Sequence, residues 1–230
     1  MEIEGESLVM NLDLGRLISK VYIKYLELVY KTSKIEIKLN NGYIIKNSII
    51  GFWHGDSYVM NLLMKELYKE EIDVAVVVTA DKRGDYIEET LNYYNMRALR
   101  MPDGIKMKSF LRELNDESKK ENSTLVISLD GPLGPLHEPK KIGFKLANTS
   151  EKNFLATKID IKRKITLTRR WDNYIIPLPF SEIKFSIVDF GKVSKENLIN
   201  FNIYKEKLKK ELLDDYIEIM NDKEFVAGNI

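Results

Sequence analysis

Hydrophobic positions along the chain follow two different periods in turn. Segments in which apolar residues are continuous, or alternate with polar ones as in a β-strand, are separated by segments in which apolar residues recur every three or four positions, as on one face of a helix. The Val-rich run 73–79 is typical of a central parallel strand covered on both faces. Other strands are predicted over 34–39, 43–53, 96–101, 124–129 and 182–193, and 153–167 is predicted to be extended. Residues 40–42 are predicted to form a turn.

Helices are predicted between and beyond these strands. They cover about 13–31, 57–69, the segment from the polar turn 80–85 to about Asn95, 106–114, 142–149 and about 195–220. Strands that alternate with helices form a largely parallel sheet through right-handed crossovers. We therefore expect an α/β fold with a mostly parallel central sheet flanked by helices. Because no repeat or linker divides the chain, residues 1–230 are expected to form a single domain.

The N-terminal helix has an apolar face, and Asp13 is a plausible N-cap for it. We expect this face to pack on the domain; a helix that lies on a lipid surface is the alternative. The face comprises Leu14, Leu17, Ile18, Val21, Tyr22, Tyr25, Leu28 and Val29.

Composition excludes several classes of protein. A chain of 230 residues with 44% hydrophobic and 31% charged residues is globular, and a net charge of +1 gives no reason to expect nucleic acid. The absence of cysteine excludes disulfides, thiolate nucleophiles and cysteine-bound zinc, and two histidines 83 positions apart disfavour a histidine-rich metal site. No signal peptide and no apolar run of about 18 residues is found. We expect a cytoplasmic protein without metal or redox cofactor, in contact with a membrane from that side at most.

One short stretch concentrates the candidate chemistry. The buried strand that ends at Phe52 and Trp53 is followed at once by His54, Gly55 and Asp56, and then by a helix. In open α/β sheets, reactive groups lie just past the carboxyl ends of the strands. Because histidine exchanges protons near neutral pH, His54 is a candidate general base. A partly buried histidine that merely ends a strand is the alternative.

A second unusual stretch follows the strand 124–129. It reads Asp130-Gly131-Pro132-Leu133-Gly134-Pro135. Its prolines fix φ and its glycines permit close approach of the backbone, so the loop is expected to hold Asp130 stiffly at a strand end. Such a loop could bind a phosphate or orient a histidine; a tight structural turn is the alternative. His137, two residues beyond it, is expected to be exposed, although a role beside Asp130 stays open.

Together, several motifs resemble one protein family. They are Phe52-Trp53-His54-Gly55, the Asp130–Pro135 loop with Lys141-Ile142-Gly143 and Leu146-Ala147, then Arg170-Trp171-Asp172 and Ile176-Pro177-Leu178-Pro179-Phe180. In this order they resemble a bacterial family of lysophospholipid-acyltransferase-like proteins, known as the domain of unknown function DUF374. The resemblance covers roughly residues 15–193. The family is similar to glycerolphosphate acyltransferases and lipid A late acyltransferases.

The resemblance implies an acyl-transfer reaction. In the wider superfamily, a histidine deprotonates the acceptor hydroxyl, an acid five residues later orients the ring, and the alcohol attacks an acyl thioester. His54 matches that histidine, and the Asp130-Gly131-Pro132 loop matches the motif that binds the acceptor's polar head. The position of the acid is occupied by Val59. Asp56 and Asp130 are the two candidates to replace it, and the sequence does not decide between them.

Candidate substrate-binding residues surround these motifs. Five arginines are candidates to bind the acceptor's phosphate bidentately: Arg83, Arg97, Arg100, Arg169 and Arg170. Arg100 is the strongest candidate, because we expect it at a strand end near His54. Trp53, Gly131, Pro132, Gly134 and Trp171 are the other predicted contacts. The segment 169–180 is predicted to be a loop that contains prolines and aromatic residues. Its apolar residues are expected to line an acyl groove, to dip into lipid or to cap the core.

The resemblance therefore implies an O-acyltransferase that acts in lipid metabolism. Its acyl donor would be acyl-CoA or acyl-carrier protein, and its acceptor a lysophospholipid or a similar glycolipid. A non-catalytic lipid-binding protein of the same fold is the main alternative. A thioester hydrolase is a third one, since Ser57 and Ser128 are possible nucleophiles, although neither lies in a G-x-S-x-G motif.

Overall fold

A seven-stranded sheet with helices on both faces forms the body of the protein. The computed structural model describes residues 2–39, 45–79, 82–102 and 107–213. The helices are α1 (Glu2–Thr32), α2 (Ser57–Lys69), α3 (Lys82–Tyr93), α4 (Met107–Ser118), α5 (Lys141–Ser150) and α6 (Lys195–Ile199), followed by α7 over 201–213. The strands are β1 (Lys34–Leu39), β2 (Ser48–Phe52), β3 (Asp73–Thr79), β4 (Arg97–Met101), β5 (Ser123–Ser128), β6 (Asn153–Ile161), β7 (Lys164–Leu167), β8 (Tyr174–Pro177) and β9 (Glu182–Lys192).

The strand order is β1-β9-β6-β2-β5-β3-β4, and the sheet is mostly parallel. Only the β6–β9 pairing in it is antiparallel. β2 lies between β5 and β6, so the loops that follow β2 and β5 leave the sheet side by side. Because β9 pairs Ile183 with Ile161 of β6, β9 begins at the edge where β2, β5 and β6 end. We call this the carboxyl edge of the sheet.

Two hydrophobic clusters cover the two faces of the sheet. One joins the sheet to α1, α2 and α3 and includes Leu26, Leu63 and Leu91. The other joins it to α4, α5 and α7 and includes Phe144 and Leu208. The fold therefore has three layers, and the predicted α/β class with a mostly parallel sheet is confirmed.

Most predicted elements are confirmed to within a few residues, but several differ. The strand predicted over 43–53 begins at Ser48. The segment 169–180, predicted as a loop, contains β8, which pairs with β7 as a separate two-stranded sheet. The region 153–167 is split into β6 and β7 rather than extended throughout. The predicted C-terminal helix is interrupted by a turn at Asn200, and its end beyond 213 lies outside the described residues, as does the predicted turn 40–42.

The N-terminal helix is longer than predicted, and only part of its predicted face packs on the domain. α1 begins at Glu2, so Asp13 lies inside the helix and is not its N-cap. Its buried contacts come from Leu26 and Val29, with Tyr22 and Tyr25 packed beside them. Four of the residues predicted to pack are exposed instead: Leu17, Ile18, Val21 and Leu28. Among the described residues, no helix is long and apolar enough to cross a membrane.

Candidate active site

The candidate site begins where β2 and β5 end together. The Leu129 amide donates to the Phe52 carbonyl at 2.7 Å, which extends the pairing of the two strands by one step. The chain then turns at His54–Asp56 in a 3₁₀ helix before α2 starts. Two of the predicted motifs, the one around His54 and the Asp130 loop, are therefore neighbours at the carboxyl edge.

Asp130 contacts the backbone of His54 rather than its ring. One carboxylate oxygen accepts the His54 amide at 2.8 Å and the Ser128 hydroxyl at 3.3 Å, and the other accepts the His137 amide at 3.3 Å. The side chain is fully buried. Asp130 thus ties the His54 turn to the loop after β5 and acts as a positioning residue. It is not the acid that orients the imidazole.

The carboxylate that contacts the His54 ring belongs to Asp172. His54 Nδ1 and Asp172 Oδ2 are 2.8 Å apart, and the Arg170 guanidinium donates to both oxygens of the same carboxylate at 2.9 and 2.7 Å. Burial alone would raise the pKa of Asp172, but the hydrogen bonds from Arg170 and His54 outweigh burial and leave the pKa below its ordinary value. Because an ionised carboxylate only accepts hydrogen bonds, Nδ1 must carry the proton, which leaves Nε2 of a neutral ring as an acceptor.

The β7–β8 hairpin brings Asp172 to this place. Its turn packs against the 3₁₀ helix so closely that a Cβ added to Gly55 would lie 2.1 Å from the Asp172 carbonyl oxygen. A side chain at position 55 would therefore push the hairpin away from His54. Arg170 also lies over the Tyr174 ring, with the guanidinium carbon 4.5 Å from the ring centroid.

Trp171 and the Asp130 loop form one wall beside the imidazole. The Trp171 and His54 ring centroids are 5.2 Å apart. A Cβ added to Gly134, whose φ is +67°, would lie 2.6 Å from the indole, so the ring rests directly on this glycine. Trp171 is 38% exposed, which leaves part of it available to a substrate.

An apolar cavity of about 230 Å³ opens beside His54. His54, Ser57, Gly131, Pro132 and Lys140 line it at the carboxyl edge. Its other walls come from α2, α3, the start of α5 and the strands beside them, and are mostly hydrophobic: Phe52, Met60, Met64, Val76, Val77, Val78, Ile87, Leu91, Met101, Val126, Ile127 and Ile142. Asn61, Thr79 and Ser128 are the polar residues among them. The His54 side chain is 24% exposed, so its ring is neither sealed in the core nor fully solvated.

Asp56 lines a different cavity, of about 210 Å³, together with Lys158, Lys164 and Asp172. Burial raises the pKa of Asp56 to about 7, an effect that Lys164 reduces and Asp130 increases. The interpretation of Asp56 as the orienting acid is therefore wrong, because the ring of His54 is bound by Asp172.

Of the predicted arginines, Arg170 lies at the site, where it binds Asp172, whereas Arg97 and Arg100 do not. Arg100 lies on the edge strand β4, with β3 and β5 between it and β2, and binds Asp85 of α3 at 2.5 Å and Glu88 at 3.4 Å. The placement of Arg100 near His54 was therefore wrong. Arg97 binds Asp73 and Glu117. Arg83 lies in the first turn of α3, and its side chain is outside the described set.

Trp53 and His137 form a second aromatic pair under the site. Trp53 is 5% exposed, and its ring centroid lies 4.8 Å from that of His137. His137 is half-buried rather than exposed as predicted, and burial lowers its pKa. The His137 amide also donates to Asp130, so His137 connects Trp53 to the Asp130 loop.

Neither candidate serine is hydrogen-bonded to the imidazole. The Ser57 hydroxyl donates to the His54 carbonyl, and the Ser128 hydroxyl donates to Asp130. The arrangement pairs the His54 imidazole with the Asp172 carboxylate, but the serine hydroxyls are directed elsewhere. Within the described ranges, no group of three or more His, Asp or Glu side chains is placed to hold a metal ion.

Two residues of the site that the sequence did not identify as functional are Asp172, which contacts the His54 ring, and Lys140, which lines the apolar cavity. Asp172 stands in the Arg170-Trp171-Asp172 motif on which the resemblance rests, so a signal was present, but nothing in the spacing links it to His54. No family model and no curated protein matches the sequence of this chain.

Proposed function

We propose that this protein is an acyltransferase that moves a fatty acyl group from an acyl thioester to a hydroxyl of a lysophospholipid or glycolipid-like acceptor. The observation that carries the proposal is the hydrogen-bonded series Arg170–Asp172–His54, which ends beside an apolar cavity. A base of this kind must be oriented by a second group and must reach a substrate hydroxyl. The contact with Asp172 and the partial exposure of the His54 side chain beside the cavity support this role.

The proposed step uses Nε2 of His54 as the general base. Nε2 takes the proton of the acceptor hydroxyl while its oxygen attacks the thioester carbonyl carbon. The tetrahedral intermediate then expels the thiolate, which recovers the proton from the imidazolium. The products are an ester and a free thiol. Asp172 keeps Nδ1 protonated throughout and stabilises the imidazolium, and Arg170 holds Asp172 in place.

The apolar cavity suits the acyl chain of the donor. Its volume of about 230 Å³ is below the roughly 300–1,000 Å³ of sites that enclose a whole drug-sized ligand, so it would hold a chain and leave the carrier outside. Lys140 stands at the same opening, where its ammonium group can approach an anionic headgroup or carrier. Acyl-CoA and acyl-carrier protein are both candidate donors, and the thioester needs no metal or redox cofactor for activation. We propose the cytoplasm, where these donors occur, as the compartment.

A thioester-release assay over a panel of lysolipid acceptors tests this function. The thiol released from acyl-CoA or acyl-carrier protein is measured for wild type, His54→Ala and Asp172→Asn. We expect His54→Ala to abolish release, and Asp172→Asn to lower kcat by about 10²–10⁴-fold, because loss of the orienting acid leaves the wrong tautomer. Asp116→Asn, on the exposed face of α4, is the matched control and should keep full activity.

Three results would overturn the proposal. Thiol release that persists in His54→Ala would show that His54 is not the general base. Release without acceptor, with a free fatty acid as product, would indicate a hydrolase. Saturable binding of acyl-CoA with no release under any acceptor would favour the non-catalytic lipid-binding protein.

A further inference from the structure

Large apolar side chains are exposed along the carboxyl edge of the sheet. Leu133 is 91% exposed, Phe180 68%, Ile165 47%, and Leu167 and Trp171 38% each. We call these five residues the rim. Leu133 follows β5, Ile165 and Leu167 belong to β7, Trp171 lies in the hairpin turn, and Phe180 precedes β9. Exposed apolar residues are ordinary when scattered singly, but here they share the edge at which His54 is reached.

The rim is interleaved with positive charge. The segment 162–171 contains five lysines and arginines and no acidic residue. Lys162 is paired with Glu182, and Arg170 with Asp172. Arg163 and Arg169 are exposed, and no ion pair involves either of them within the described part of the chain. Exposed apolar side chains together with exposed cationic ones are the combination that binds an anionic lipid surface.

We infer that the rim docks on the surface of an anionic lipid bilayer. The β7–β8 hairpin is suited to this because it is a two-stranded sheet apart from the main one, with both apolar residues of β7 turned to solvent. Docked in this way, the apolar cavity beside His54 opens toward the membrane, and a lipid acceptor reaches the imidazole without crossing bulk water. The inference concerns the surface and does not require that His54 transfers an acyl group.

Co-sedimentation of the full-length protein with vesicles tests the inference. The probes are vesicles of phosphatidylcholine alone and of an equal mixture with phosphatidylglycerol, at about 0.1 M and about 1 M salt, where the screening lengths are about 10 and 3 Å. We expect binding to the mixed vesicles at low salt only. Arg163→Glu/Arg169→Glu and, separately, Ile165→Ser/Leu167→Ser should each weaken it by at least about tenfold.

Matched controls come from the opposite edge of the sheet. Lys119→Glu/Lys195→Glu reverses two exposed charges there, and Ile199→Ser/Ile203→Ser removes two side chains that are 81% and 75% exposed. Both controls should bind as wild type does. Circular dichroism of each variant confirms that the fold is retained, which is expected because every substituted side chain is exposed or nearly so.

Two results would overturn the inference. Binding that is lost in Leu17→Ser/Val21→Ser but kept in both rim variants would assign the lipid contact to α1, whose exposed stripe includes these residues. No vesicle binding, together with a concentration-dependent mass that falls in Ile165→Ser/Leu167→Ser, would make the rim a protein interface. Acyl transfer to a water-soluble short-chain acceptor is followed in parallel, so that loss of docking and loss of chemistry are distinguished.

Discussion

Asp56 is a buried carboxyl group, and burial disfavours its ionised form. Burial raises its pKa to about 7, whereas an unfolded chain ionises the same group near its ordinary value of about 3.9. Between these two values the folded protein holds a proton that the unfolded chain has released. Unfolding then releases a proton, so the contribution of this group to stability is full below about pH 4 and is lost as pH rises to about 7.

Replacing Asp56 by asparagine removes this dependence. We expect Asp56→Asn to be more stable than wild type above about pH 7, by at most about 4 kcal/mol because each pKa unit corresponds to about 1.4 kcal/mol. Below about pH 4 the two proteins should have similar stability. Urea unfolding at several pH values measures the difference, with Asp116→Asn on the exposed face of α4 as control. A gain in stability that does not vary with pH would show that it does not come from the ionisation of Asp56.

The contact between His54 and Asp172 is the part of the site that could not be predicted from the sequence. His54, the Asp130 loop and their convergence at one edge could be predicted, because each follows a hydrophobic strand by one or two residues. Asp172 lies 118 positions after His54 and arrives from a hairpin turn outside the main sheet. The predicted alternation of strands and helices carried no information about that turn.

At the scale of elements, strong local patterns were predicted well and weak ones were not. β3 and α2 have continuous or regularly spaced apolar residues, and their predicted bounds, 73–79 and 57–69, are confirmed. β8 was missed because Pro177 ends it and only three residues precede that proline. The start of α1 was misplaced because Asp13 resembles a cap in a segment that continues as helix on both sides.

α2 sets the depth of the apolar cavity. The helix begins at Ser57 beside His54, and Met64 lines the cavity seven positions later, which is about 10 Å along the axis at 1.5 Å per residue. Met64 is therefore at the inner end. We expect Met64→Trp to shorten the acyl chain that the protein accepts, and to lower kcat/KM for long-chain donors by at least about tenfold relative to short-chain donors.

Thiol release with donors of graded chain length measures this change. Tyr68→Trp, at a 45% exposed position of the same helix, is the control and should leave the chain-length profile as in wild type. Met64→Phe tests the same idea with a smaller side chain, in case the indole does not fit the core. An equal loss for every chain length in both variants would place the acyl chain elsewhere.

For the molecule as a whole, the question is whether the predicted single domain unfolds as one unit. The two clusters lie on opposite faces of one sheet, and neighbouring residues of β2 belong to different clusters: Ile50 to that of α2, and Ile49 to that of α5. Neither cluster can separate from the sheet without exposing side chains of the same strand. Cooperative unfolding should follow, although the three layers are built from segments far apart in the chain.

Leu63→Ala and Phe144→Ala test this cooperativity from the two faces, because both side chains are fully buried in different clusters. Each should lower the free energy of unfolding by about 2–5 kcal/mol. Each should also shift one common urea transition, whether it is followed by tryptophan fluorescence or by far-ultraviolet circular dichroism. Ile203→Ala, at a 75% exposed position, should leave the midpoint unchanged. If Leu63→Ala moved an early transition and left a later one in place, the layer of α1, α2 and α3 would unfold independently and the chain would contain two units.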